Sequence, residues 1–115
     1  MPPLAAELRQ SRPFRSPAQE ATLAVLRTAD VIRRHFTRVV APAGLTIHQY
    51  NVLRILRGAA GQPLSVLDIQ NRLIEETPGV SRIVERLVAR QLARRERSAT
   101  DRRLLECFIT EVGLL

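Results

Sequence analysis

Apolar residues recur at helical spacing in the second half of the chain. They lie three and four positions apart, so they share one face of a helix; they are Val80, Ile83, Val84, Leu87 and Val88. The opposite face is polar and mostly charged. This pattern predicts an amphipathic helix over about residues 78–90, with Thr77 as its N-cap and Pro78 as its first helical residue.

A longer apolar pattern lies upstream, over about residues 18–40. Ser16-Pro17 opens this predicted helix and Pro42 ends it. Its apolar residues cover a wide arc, which is typical of a helix with more than one partner. A second subunit is therefore a candidate partner for this segment. Residues 1–17, with four prolines and three arginines, are expected to form an extended or disordered N-terminal arm.

Two shorter helices are predicted between these segments. Thr46 precedes the first, over residues 47–57, and Ser65 and Asp68 form a capping box that opens the second, over residues 66–74. The second of these meets the 78–90 helix through a tight turn. Two short helices in this arrangement predict a helix-turn-helix.

After Gln91 the apolar period changes from a helical one to an alternation of two. Residues 92–97 and 103–109 are predicted strands, joined by a turn at residues 98–101. A two-stranded hairpin of about residues 92–109 that follows a helix-turn-helix is a wing. Thr110 then resembles the N-cap of a further helix. The predicted fold is mainly α with a small β-hairpin, in the order of four helices, two strands and the start of a fifth helix.

Composition and charge narrow the function. The 115 residues carry a net charge of +7, and all 18 basic residues are arginine, which favours an anionic partner such as nucleic acid. A GC-rich codon bias explains the arginine count equally well. The distribution is more informative, because residues 82–103 hold eight arginines and three acidic residues.

Other classes of protein are disfavoured. One cysteine excludes an internal disulfide, and the short apolar runs lead us to expect neither a membrane-spanning helix nor a secretory signal. His35 and His48 stand apart from any ligand cluster, and the motifs of common enzymes are absent. We therefore expect no cofactor, no metal site, no membrane association and no enzymatic activity, in a cytoplasmic protein.

Four motifs follow one another along the chain; they are Leu45-Thr46-x-x-Gln49-Tyr50, Leu64-Ser65-Val66-x-Asp68-Ile69, residues 78–87, and Asp101-x-Arg103 with Ile109-Thr110-Glu111-x-Gly113. In this order they resemble the MarR (multiple antibiotic resistance regulator) family of bacterial winged helix-turn-helix transcription factors. The resemblance covers nearly the whole chain. The chain departs from the family at Gln91, where a glycine is usual. A left-handed residue there would be strained by about 1 kcal/mol.

The resemblance implies a sequence-specific, ligand-responsive repressor. It would bind a pseudo-palindromic operator on double-stranded DNA as a homodimer, held together through residues 18–40, and would associate with the nucleoid when bound. Family members usually continue into long C-terminal helices that complete the dimer, whereas here residues 110–115 remain. The alternative is thus a truncated relative that does not bind DNA and titrates a full-length partner.

The helix-turn-helix context selects the residues expected to contact DNA. Ser81, Arg82 and Arg86 lie on the outward face of the predicted recognition helix, where arginine can bind guanine through two hydrogen bonds. An ordinary solvated basic face is the competing interpretation. Ser65 and Thr77, at helix N-termini, are candidates for phosphate contact.

The wing and the effector site supply the remaining candidates. The resemblance implies that Asp101 and Arg103 form an ion pair that shapes the wing, and that Arg97 and Arg102 contact the DNA backbone or minor groove. It also implies a pocket for a small aromatic effector, lined by residues of the first and second helices; these are Phe36, His48 and Tyr50. In this position all three are more often core residues than ligand contacts.

Overall fold

The computed structural model of the protein describes residues 3–101 and 103–114. Contacts between residues divide the chain into two compact units, residues 1–39 and residues 40–115. Within the described residues, no helix combines the length and the apolar character needed to cross a membrane.

The first unit contains a short helix and a long one, α1 (Leu4–Glu7) and α2 (Pro17–Val40). The expectation of a wholly extended arm was wrong over residues 4–7, which form one helical turn. The N–H groups of Ala6 and Glu7 donate hydrogen bonds to the Pro3 carbonyl in this turn. The predicted start of the long helix is confirmed: the Ser16 hydroxyl accepts a hydrogen bond from the Gln19 N–H at 3.1 Å. Pro17 occupies the first helical position, where it needs no N–H partner.

Large apolar side chains of α2 remain exposed in the single chain. Six are 39–67% accessible; they are Val25, Leu26, Val31, Ile32, Phe36 and Val39. Burial of such side chains in other folded proteins contributes about 1.5–3 kcal/mol each, so this helix leaves a large apolar surface in contact with water.

The second unit begins with a 3₁₀ turn (Ala41–Ala43) and continues through α3 (Ile47–Gly58) and α4 (Val66–Arg72). Both α-helices open with a reciprocal capping box. Thr46 exchanges hydrogen bonds with Gln49 at 3.0 and 3.1 Å. Ser65 and Asp68 do the same at 3.0 and 3.1 Å, which confirms the predicted start of this helix. α4 ends two residues earlier than expected.

The helix predicted over residues 78–90, the recognition helix, is α5 (Val80–Ala89). Its N-cap is Gly79, in the left-handed region at φ 69°, so the assignment of Thr77 as N-cap and Pro78 as first helical residue was wrong. Thr77 is instead 7% exposed, and its hydroxyl donates to the Glu75 carbonyl at 3.2 Å. A glycine tolerates the left-handed conformation without strain, which explains why the helix starts after Gly79.

The wing consists of β1 (Ala93–Arg97) and β2 (Leu105–Ile109), paired antiparallel with Arg95 opposite Cys107. Leu64 extends this pairing, because its N–H and C=O both bond to Cys107 at 3.2 and 2.7 Å. The hairpin is therefore tied to the segment that leads into α4. The chain continues into α6 (Glu111–Leu114), which begins directly after Thr110 as the sequence predicts.

One aliphatic core joins α3, α4, α5 and the hairpin. Its fully buried side chains are Val52, Leu56, Ile69, Val84, Leu87 and Cys107. Burial raises the pKa of the Cys107 thiol, partly offset by the positive charge of Arg95. Cys107 thus has the place of a small core hydrophobe, as predicted.

Candidate DNA-binding surface

The two faces of α5 differ in accessibility. Val80, Val84 and Leu87 are 0–4% exposed and pack into the core, which fixes the rotation of the helix about its axis. Ser81, Arg82 and Arg86 lie on the opposite, exposed face. The apolar spacing predicted this division correctly.

A groove of about 820 Å³ runs along the N-terminal half of this exposed face. One wall comes from the start of α3, including Thr46 and His48, and the other comes from Gly79 to Arg86. Ser81, Arg82 and Arg86 all line the groove. Three of the predicted contact residues are thus brought together on one concave, partly basic surface.

The arginines of β1 make contacts within the unit. Arg94 pairs with Glu96, and its guanidinium carbon lies 4.1 Å from the centre of the Phe108 ring. Arg95 lies 3.7 Å from the Glu85 carboxylate, so it links the wing to the recognition helix. Both ion pairs are partly exposed and contribute little to stability, at about 0–1 kcal/mol each. They do determine where these two guanidinium groups lie.

Ser98, which no sequence pattern singles out, organises the tip of the wing. Ser98 is 4% exposed, and its hydroxyl accepts hydrogen bonds from the N–H groups of Thr100 and Asp101, both at 3.2 Å. A serine in a polar turn, next to the charged end of a strand, gives no sequence signal of burial. The hydrogen bond from the Ser98 N–H to the Leu104 carbonyl, at 2.9 Å, closes the turn over this side chain.

Asp101 and Arg103 are connected differently from the way the resemblance implied. The Asp101 carboxylate accepts a hydrogen bond from the backbone N–H of Arg103 at 3.0 Å. In the described residues this backbone hydrogen bond, and not a side-chain ion pair, joins the two positions. The Arg97 and Arg103 side chains are exposed, and Arg102 lies outside the described residues.

The two helix-terminal candidates differ in access. Ser65 is half-buried and already engaged with Asp68, and hydrogen bonds from Ser65, assisted by the charge of Arg72, lower the pKa of the Asp68 carboxyl. Thr77 is buried, as described above. Thr77 therefore presents little side-chain surface to an external phosphate.

The three candidate effector residues are distributed over both units. Phe36 is on α2 in the first unit and is 39% exposed, whereas His48 and Tyr50 are half-buried on α3 in the second. His48 lines the groove beside α5, and Tyr50 does not.

The C-terminal end of α5 carries two features of its own. Arg90 directs its guanidinium to the carbonyl oxygens of Gly44 at 2.8 Å and Ala43 at 3.0 Å. Gln91 has φ 63°, so the left-handed conformation that its position implied is present without the usual glycine. The Arg90 contacts span more than 45 positions of the chain, which local sequence patterns do not reveal.

Comparison with known proteins agrees with this architecture. A family model described as MarR family matches residues 43–104, more than half of the chain. A MarR transcription factor from Planctomyces limnophilus is 34% identical over 89% of this chain and 73% of its own, with a TM-score of 0.74. A search of curated proteins found no match.

More distant structures share the fold. AbsC, a MarR family transcriptional regulator from Streptomyces coelicolor, is 23% identical over 90% of this chain and 70% of its own, with a TM-score of 0.75. Reduced AbfR, solved bound to DNA, is 22% identical over 84% of this chain and 66% of its own, with a TM-score of 0.72. The relatives from Planctomyces limnophilus and Streptomyces coelicolor are named as a transcription factor and a transcriptional regulator. The chain belongs to the MarR family and has its winged-helix fold.

Proposed function

We propose that the protein is a DNA-binding transcription regulator that acts as a ligand-responsive repressor on a pseudo-palindromic operator. The observation that carries this proposal is the exposed face of α5, where Ser81, Arg82 and Arg86 line one groove while the opposite face is buried. A rigidly packed helix with such a face suits insertion into the major groove of DNA. The DNA-bound structure of AbfR, which has the same fold, supports this use of the fold.

The side chains of α5 divide between reading and anchoring. Arg82, in the first turn, has the reach and fork geometry to bind guanine O6 and N7. Ser81 would contact a base edge or a phosphate, and Arg86, one turn later, a phosphate. Arg97, Arg102 and Arg103 of the wing would contact the DNA backbone, while Asp101 would hold the protein backbone of the wing turn. Ser65 and Thr77 would lie near a DNA phosphate at the ends of their helices.

A single recognition helix reads too few base pairs to be selective, so the proposal includes a homodimer. The exposed apolar side chains of α2 support this step, because residues 18–40 present six large apolar groups to water in the single chain. Pairing with a second copy would cover them. Such a regulator would act on chromosomal DNA in the bacterial cytoplasm.

A bound effector would keep α5 from taking the position that DNA binding requires. His48 lines the groove next to Arg82 and Arg86, so a small aromatic anion could reach the reading face from the α3 side. Tyr50 and Phe36 would belong to the effector site only if the dimer brought them to it.

The test begins with selection of bound DNA from a random pool, followed by fluorescence anisotropy on the selected sequence. A dimer in light scattering that binds a two-fold symmetric site, with affinity falling steeply as salt rises, supports the proposal. A monomer without DNA affinity contradicts it and supports a non-binding relative that pairs with a full-length partner.

A further inference from the structure

Arg90 follows directly after α5 and is its C-cap residue. Nη1 donates to the carbonyl of Gly44 at 2.8 Å, and Nη2 donates to the carbonyl of Ala43 at 3.0 Å. Two parallel N–H donors of one planar guanidinium on two adjacent carbonyl oxygens make a directional contact. Those carbonyls belong to the last residue of the 3₁₀ turn and to its C-cap, in the segment that follows the end of α2 at Val40.

The next residues are held at a second place. The Gln91 carbonyl accepts a hydrogen bond from the Thr110 hydroxyl at 2.7 Å, and the Leu92 carbonyl accepts one from the Thr110 N–H at 3.2 Å. Gly113 lies so near that a Cβ atom there would stand 2.2 Å from the Leu92 carbonyl oxygen. The end of the recognition helix is therefore bonded both to the segment that enters this unit and to the segment that leads into α6.

Apolar packing alone does not define the position of a helix along its own axis. Val80, Val84 and Leu87 fix which face of α5 is buried, but apolar contacts are not directional. The paired hydrogen bonds of Arg90 are directional, and they act at the end of the helix farthest from Arg82. A small tilt about the packed face would move the two ends in opposite directions.

We propose that Arg90 is a positioning residue that sets the orientation of the recognition helix relative to the chain entry at residues 40–44, and thereby the separation of the two half-sites that a dimer reads. This inference rests on the proposed function. Arg90 does not read bases in this account; it acts through α5. Its loss loosens the geometry between two reading heads and leaves the contacts of each head with its half-site intact.

The experiment uses a DNA library in which the selected half-sites stay constant and the spacer between them varies by one or two base pairs. The wild type should prefer one spacer sharply, because helices about one DNA turn apart must enter the groove in phase. Arg90→Met retains the length of the stem and removes both donors. It should reduce the discrimination between correct and altered spacers by about 2- to 30-fold, the range typical of coupling residues.

Two variants serve as controls. Arg90→Lys restores one donor and should recover part of the spacer preference. Arg82→Ala should relax base preference within a half-site and leave the spacer preference sharp. A spacer profile of Arg90→Met that matches the wild type, with normal melting, would overturn the inference. Failure of the wild type to bind any DNA would instead overturn the proposed function.

A measurement without DNA tests whether Arg90 positions α5, whether or not the wild type binds DNA. Spin labels at Ser81→Cys on α5 and Arg54→Cys on α3, in a Cys107→Ser background, report the distance between the two helices. The Arg90→Met change should broaden or shift this distance distribution in protein that remains folded by circular dichroism, with partial recovery for Arg90→Lys. Should Arg90→Met fail to fold, the wild-type and Arg90→Lys distributions are compared directly. An unchanged distribution contradicts the inference.

Discussion

Arg82 and Arg86 extend from α5 into a groove on its surface, whereas Arg90, Arg94 and Arg95 each contact another part of the same unit. All five belong to one arginine-rich stretch that looks uniform in sequence. The structure separates it into residues available to an external anion and residues that hold the recognition helix and the wing in place. Net charge thus overstates the charge available to an external anion, because local carboxylates and carbonyls engage part of it.

The largest expected effect distinguishes the two faces of α5. Leu87→Ala removes a fully buried side chain and should lower the free energy of unfolding by about 2–5 kcal/mol. The neighbouring Arg86→Ala, on the exposed face, should change it by less than about 0.5 kcal/mol. Urea denaturation measures both. Similar losses for the two variants would mean that α5 is not packed as described.

Arg82→Ala examines the reading role of the exposed face. We expect binding to the selected operator to weaken by about 1–3 kcal/mol, with relaxed base preference at one position of each half-site. Anisotropy titrations on the operator and its single-base variants measure this. Arg57→Ala, which removes an equal charge from the exposed last turn of α3, is the matched control. Equal losses for Arg57→Ala and Arg82→Ala would indicate a general electrostatic effect.

Gln91, at the end of α5, occupies a backbone position that favours glycine. Its φ of 63° is a conformation that glycine adopts without strain, so Gln91→Gly should raise the free energy of unfolding by about 1 kcal/mol. Gln70→Gly, within α4, should lower it by about the same amount. Thermal melts of the two variants give the signs. A destabilised Gln91→Gly would show that the glutamine side chain stabilises this turn.

The smallest change in stability is expected at Asp68, in the first turn of α4. Hydrogen bonds from Ser65 lower its pKa below the ordinary value of 3.8. Its contribution to stability is therefore present above about pH 4 and is lost as pH falls through the lower, folded-state pKa. The stability difference between the wild type and Asp68→Asn should stay constant from neutral pH to about pH 5 and shrink in stronger acid. A difference that grew on acidification would contradict the assigned shift.

Local sequence patterns predicted most of the fold. The period of the apolar residues located α2, α3, α5 and both strands, and the Ser65–Asp68 capping box located α4, because these elements depend on neighbouring residues. The start of α5 was misplaced, since Thr77 and Gly79 are both plausible N-caps and only tertiary burial of Thr77 decides between them.

The site was predictable only in part. The exposed face of α5 follows from helical spacing, which places Ser81, Arg82 and Arg86 opposite the core. The roles of Arg90 and Ser98 were not predictable, because their partners depend on how distant segments or the wing turn fold back. The partner of Arg95 depends in the same way on the approach of the wing to Glu85.

In the proposed complex only part of the arginine-rich stretch faces DNA, and the salt dependence of binding measures which arginines do. Arg86→Ala and Arg94→Ala remove the same charge eight residues apart. Arg86→Ala should reduce the slope of log affinity against log salt concentration by about 1, the change expected for one lost phosphate contact. Arg94→Ala should leave the slope unchanged, because Glu96 and Phe108 engage that guanidinium. Equal reductions for the two variants would contradict the account.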